Sequence, residues 1–185
     1  MLVVVLAMGI YLWRMRSRVS QVPASAADTR PVAPPASGPT EPVTLFIAYD
    51  DPGILRPRVA RIPLPSDRQQ RAEELLRSLV NLYLDKSSTH PLPPGSEIRN
   101  VYLVEPSMAV IDANSALADH HRSGILVEEL TVASLIQSLT ANIPGITRVK
   151  LLVDGKSRDT LAGHADLSAF YDTYTVSRMV TQLSQ

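Results

Sequence analysis

Six prolines fall within the twenty-two residues from Gln21 to Pro42, at positions 23, 31, 34, 35, 39 and 42. The stretch reads QVPASAADTRPVAPPASGPTEP and carries no apolar periodicity and no aromatic residue. It cannot bury enough surface to offset the entropy of ordering it. It therefore divides the chain: a packed core has to come from the residues after Pro42. Proline biases such a segment to extended polyproline II at about 3.1 Å per residue, so residues 20–42 are expected to act as a disordered linker reaching on the order of 70 Å. A docking motif for an SH3-like partner is the alternative, and a plain spacer is the better reading.

Ahead of the linker, MLVVVLAMGIYLW has no charge, and Arg14, Arg16 and Arg18 come directly after it. A membrane span needs about 20 apolar residues, so this run falls short. It lacks the basic residues that precede a signal core, and no A-x-A-like cleavage site lies just after it. A buried helix is the bland alternative, but the linker separates it from any core. Residues 1–19 are expected to be a membrane anchor whose first part lies upstream. Arginines directly after an anchor favour a cytoplasmic domain; an extracytoplasmic domain requires balancing basic residues upstream.

Composition narrows the function classes. Formal net charge is zero over 185 residues, which gives no electrostatic footprint for nucleic acid. Cysteine is absent, which excludes disulfides, thiolate metal sites, a cysteine nucleophile and lipidation of an N-terminal cysteine.

After the linker, VTLFIAY (43–49) reads as a buried strand and Asp50-Asp51-Pro52-Gly53 as a turn. Leu55 to Leu64 contains Pro57 and Pro63 and reads as an edge strand at best. Ser66 and Gln69 have capping-box spacing before a helix with Ala72, Leu75, Leu76, Leu79 and Tyr83 on one face. EIRNVYLV (97–104) and MAVID (108–112) are strands joined so closely that they must be antiparallel neighbours. A second helix spans about 123–142 with Val132, Leu135, Ile136, Leu139 and Ile143 as its stripe, and Pro144-Gly145 ends it. RVKLLV (148–153) is the last strand. The expected fold is α+β: a split β-α-β-β-α-β domain, with helices on one face of a mixed or antiparallel sheet. Its expected limits are 43–168, leaving 169–185 as a C-terminal tail.

Four fragments in this order resemble the GerMN domain family: LFIAYDD, LPPGSEIRNVYLVEPSMAVID, LTVASLIQSLTANIPGITRVKLLVDGK and LAGHADL (Leu161 to Leu167). Two details depart from the pattern. Glu105-Pro106-Ser107 replaces a tighter turn, and Gln137-Ser138-Leu139-Thr140 replaces aromatic-Thr-Leu-Thr. The resemblance implies a domain like the ring-building modules of sporulation and secretion complexes. It also implies an extracytoplasmic place on the bacterial envelope and no established catalytic residues or cofactor.

Catalysis needs a constellation rather than isolated polar residues. The histidines are His90, His120, His121 and His164, with no i, i+4 pair and no HExxH. His120 and His121 read as a solvated loop, and His90 carries no signal. Glu128 and Glu129, early in the second helix, read as dipole and solubility groups. Arg56, Arg58 and Arg61 lack interleaved aromatics and read as a solvated edge rather than a nucleic-acid face. Gly163, His164 and Asp166 form the sharpest candidate, an interaction loop with His164 oriented by Asp166. The plainer reading of those residues is a turn capped by Asp166. The expectation is a membrane-tethered scaffolding module that binds an envelope protein or the cell wall, without cofactor, metal or small-molecule substrate. The alternative is an envelope hydrolase or metal-dependent enzyme centred on Gly163, His164 and Asp166.

Overall fold

Among the described residues ten elements succeed one another: β1 (Thr40–Tyr49), β2 (Ile54–Pro63), α1 (Arg68–Leu84), β3 (Ile98–Val104), β4 (Met108–Ala113), α2 (Ser115–Asp119), α3 (Ile125–Asn142), β5 (Arg148–Val153), β6 (Tyr171–Asp172) and α4 (Thr173–Leu183). The computed structural model describes residues 37–104 and 106–183. The anchor expected over residues 1–19, and the linker as far as residue 36, lie outside the described residues. Among the described residues no helix is long and apolar enough to cross a membrane.

The α+β class and the mixed sheet are as expected, but the strands form two sheets. β1 and β2 make an antiparallel ribbon, and β3-β4-β5-β6 make a four-stranded sheet. Within the latter, β3 and β4 are antiparallel, β4 and β5 parallel, and β5 and β6 antiparallel. The parallel pair is bridged by the crossover through α2 and α3, as parallel neighbours require.

The ribbon explains how a strand with two prolines pairs along its whole length. Thr44, Phe46 and Ala48 of β1 turn their backbone groups away from β2, toward α3 and α1. Antiparallel pairing alternates, so their partners Val59, Pro57 and Leu55 also face away from the ladder. Pro57, Pro63 and Pro42 all fall in this alternate set, where a missing N–H removes no ladder bond.

Among the described residues no third strand lies on the inner side of β1; helix side chains take its place. Thr44 exchanges both backbone bonds with the Asn142 amide, at 3.0 and 2.7 Å. Phe46 N–H donates to Ser138 Oγ at 2.8 Å, and Ser134 Oγ donates to Phe46 O at 2.6 Å. Ala48 N–H donates to Tyr83 OH at 2.8 Å, and Thr89 Oγ1 donates to Ala48 O at 2.7 Å. Ser134, Ser138 and Asn142 recur every fourth residue, so one polar stripe of α3 completes the ribbon edge. The physical need is plain: these backbone groups lie against the core, and each left unpaired costs about 1–3 kcal/mol. On the other sheet, α1 covers the edge of β3. Arg77 donates to Ile98 O and Arg99 O, and Val101 N–H donates to Glu73 Oε1.

The core joins the two sheets through α1 and α3. Leu75, Leu76 and Leu79 of α1 and Leu135, Ile136 and Leu139 of α3 are all buried. Each such side chain contributes about 1.5–3 kcal/mol of burial.

Several local expectations move. The cap of α1 is Asp67, whose side chain accepts from Gln70 N–H at 2.9 Å, not Ser66. The short helix α2, capped by Asn114, was not expected. β1 starts at Thr40, inside the expected linker. Residues 169–185, expected as a tail, hold β6 and α4 instead, and Val176 and Val180 of α4 are buried. The four-residue spacing of those valines was the available signal.

Candidate functional site: a carboxylate that holds the 161–168 loop

Glu128 lies in the first turn of α3 and is completely buried. Its Oε1 accepts Gly124 N–H at 3.0 Å, from the residue that caps its own helix. Its Oε2 accepts three backbone donors of the 161–168 loop: Ala162 at 3.0 Å, His164 at 2.9 Å and Ala165 at 3.0 Å. His164 Nδ1 lies 2.8 Å from Oε1. Burial pushes the carboxyl pKa up, but the Gly124 amide, the His164 imidazole and the loop amides outweigh it and hold it at about 2. The group is an anion, so His164 must donate Nδ1–H to it.

The loop is fixed at other points too. Leu161, Ala165 and Leu167 are buried. Leu161 N–H donates to Ala165 O, and Leu167 N–H to Asp159 O. The buried Lys150 of β5 donates Nζ to Leu167 O and Ser168 O, at 2.5 and 2.7 Å. Gly163 has φ of +121°, which side-chain-bearing residues rarely adopt.

The structure brings Gly163, His164 and Asp166 into one loop but changes their roles. Asp166 does not orient His164. Its Oδ1 accepts Ser168 N–H at 2.7 Å and Ser168 Oγ–H at 2.6 Å, and these bonds lower its carboxyl pKa. Glu128 orients His164 instead. The dipole-and-solubility reading of Glu128 is thereby corrected: a fully buried carboxylate with five donors is an organising centre. Ser123 Oγ also approaches His164 Nδ1, at 3.4 Å, the nitrogen already given to Glu128. His164 lines a groove of about 290 Å³ between α3, this loop and α4.

A second buried cluster occupies the neighbouring face of α3. His90 and His121 place their Nε2 atoms 2.7 Å from the same Thr131 hydroxyl. His90 Nδ1 lies 2.5 Å from Asp50 Oδ1, and His121 Nδ1 donates to Arg122 O at 2.8 Å. Arg122 in turn pairs with Asp50. Burial lowers the pKa of both rings, outweighing the opposing effect of the hydrogen bonds that His90 donates to Asp50 and His121 donates to Arg122 O. Neither His90 in a signal-free turn nor His121 in a solvated loop survives; of His90, His120 and His121, His120 alone is exposed.

The fold and its loop define an α+β domain of the GerMN kind. The family model described as "Germane: Sporulation and spore germination" matches residues 44–159, and the chain belongs to that family. Glu128 falls inside the matched residues, and the loop it holds begins just beyond them. Solved structures agree on the fold. The tandem GerMN domains of the sporulation protein GerM from Bacillus subtilis align with 70% of this chain and 45% of theirs, at 19% identity and a TM-score of 0.53. The first GerMN domain of that protein aligns over 70% of this chain and 95% of its own, at 19% identity and a TM-score of 0.51. A candidate lipoprotein from Clostridium perfringens aligns over 84% and 99%, at 17% identity and a TM-score of 0.50. No curated protein sequence matches the chain.

Proposed function

We propose that this chain is a binding and scaffolding module of the bacterial envelope. In this reading residues 1–19 anchor it in the inner membrane, the proline-rich linker gives reach, and the domain stands on the extracytoplasmic side. Its partner is another envelope protein or the cell wall. The family match over residues 44–159 carries the reading. The Clostridium perfringens relative, a candidate lipoprotein, is consistent with an envelope setting. The 161–168 loop, with Gly163, His164 and Asp166, is the proposed interaction element.

The hydrolase alternative needs a nucleophile at the free nitrogen of His164. Ser123 Oγ instead approaches Nδ1, so the serine, the imidazole and Glu128 make no relay. Replacing His164 with Ala separates the two readings. A binding module loses partner affinity and shows no turnover of cell-wall or envelope substrates before or after the change; an enzyme shows a turnover that the change abolishes. Topology is tested with a reporter fused at Gln185: activity confined to the cytoplasm overturns the extracytoplasmic placement.

A further inference from the structure

The groove beside His164 is unusual in what its polar atoms can do. Its floor is apolar, from Val132, Ala133, Ala165, Val176 and Met179. Its polar rim is Glu129, His164, Asp166, Tyr171 and Thr175. Each rim side chain has its hydrogen committed or carries none. Tyr171 OH donates to Asp166 O at 2.6 Å. Thr175 Oγ1 donates to Asp172 Oδ1 at 3.0 Å. His164 gives Nδ1–H to Glu128, so that ring hydrogen is committed. Glu129 and Asp166 are carboxylates and accept only. Both act on Tyr171: burial first, then the Asp166 and Glu129 charges, push its phenol up to about 12, so it stays protonated. Lys150, which faces Asp166, has its Nζ committed to the loop carbonyls.

The rim therefore presents the negative charge of Glu129 and Asp166 above an apolar floor, with the Tyr171 and Thr175 hydroxyl hydrogens committed elsewhere. A carboxylate or phosphate meets repulsion there. A primary ammonium carries three donors and no acceptor, and an aliphatic stem matches the floor. We propose that this groove docks a lysine-type side chain from a partner peptide, with its methylenes on Val132, Val176 and Met179 and its ammonium between Glu129 and Asp166. The proposal rests on the binding-module reading and names the partner's chemistry.

Calorimetric titration of the full chain with acetyl-Ala-Lys-Ala-amide tests it, against the same peptide carrying norleucine or Nε-acetyl-lysine. The lysine peptide is expected to bind at least about tenfold more tightly than either, since a charge-assisted contact is lost in both. Glu129→Gln combined with Asp166→Asn should erase that preference. Met179→Trp, which fills the floor, should abolish binding while the thermal transition persists. No binding, equal binding of the three peptides, or a preference that survives the double substitution overturns the proposal. Envelope cross-links that persist in Met179→Trp also overturn the groove assignment, and leave the binding-module reading standing.

Discussion

Glu128 and Thr131 sit one turn apart on α3, and each organises a buried polar cluster, yet the two clusters obey different chemistry. Around Glu128 the donors are mostly backbone amides, which have no protonation equilibrium in the working range. The charge sits on the carboxylate and is stabilised far below its ordinary pKa. Around Thr131 the partners are side chains that titrate, and burial disfavours their charged forms. Backbone donors hold one loop to one helix. Side-chain partners hold the β1–β2 turn, the segment before Pro91 and the segment before α3 together at Thr131. The first cluster is a rigid clamp; the second is sensitive to acid.

The largest expected effect tests the clamp. Glu128→Gln replaces an anion by an amide among five donors. A carboxyl held at about 2, against 4.5 in water, corresponds to about 3.5 kcal/mol at about 1.4 kcal/mol per pKa unit. Urea unfolding should show a loss of that order; a loss below about 1 kcal/mol means the loop reorganises without the charge.

Acid unfolding should separate the clusters next. His90 and His121 both lie below the ordinary imidazole value of 6.5 when folded, so the unfolded chain binds protons that the folded chain does not. Their contribution is full above about pH 6.5 and is lost as pH falls through their folded values. Glu128 behaves likewise at lower pH: its contribution is full above 4.5 and is lost as pH approaches about 2. Stability measured against pH should therefore fall in two steps. His121→Gln should flatten the upper step and leave the lower one; an unchanged upper step assigns it to other groups.

Gly163→Ala carries the smallest effect. The nearest atom to an added Cβ is Ser123 Oγ at 3.8 Å, so space is available and only the backbone resists. The cost should be about 1–2 kcal/mol, confined to the clamp, with the acid step of the histidines unmoved. Amide exchange at residues 162–165 measures it, and unchanged protection there contradicts the clamp model.

The difference between the clusters also explains what could be read from the chain. The strands and the helix stripes were legible because their signals are local: alternation, four-residue spacing, and proline and glycine at the turns. The four GerMN-like fragments were legible because their order is linear. The Glu128 clamp was not, because its loop donors lie 34–37 residues away. A glutamate at a helix start looks the same whether it meets water or amides. Thr131 is the same case: His90 comes from 41 residues away and His121 from 10. The polar stripe Ser134, Ser138 and Asn142 was visible as a spacing, but its meaning depended on β1 lying beside it.

Residue order alone settled most of the strands, the two long helices, which chemistries the absent cysteine forbids, and the family to which the chain belongs. Packing settled that the strands divide into two sheets, that α4 closes the core, and that His164 answers to Glu128 rather than Asp166. The physical reason is range. Propensity and periodicity act over a few residues, whereas the partner of a buried polar group is whatever the finished core brings within about 3 Å of it.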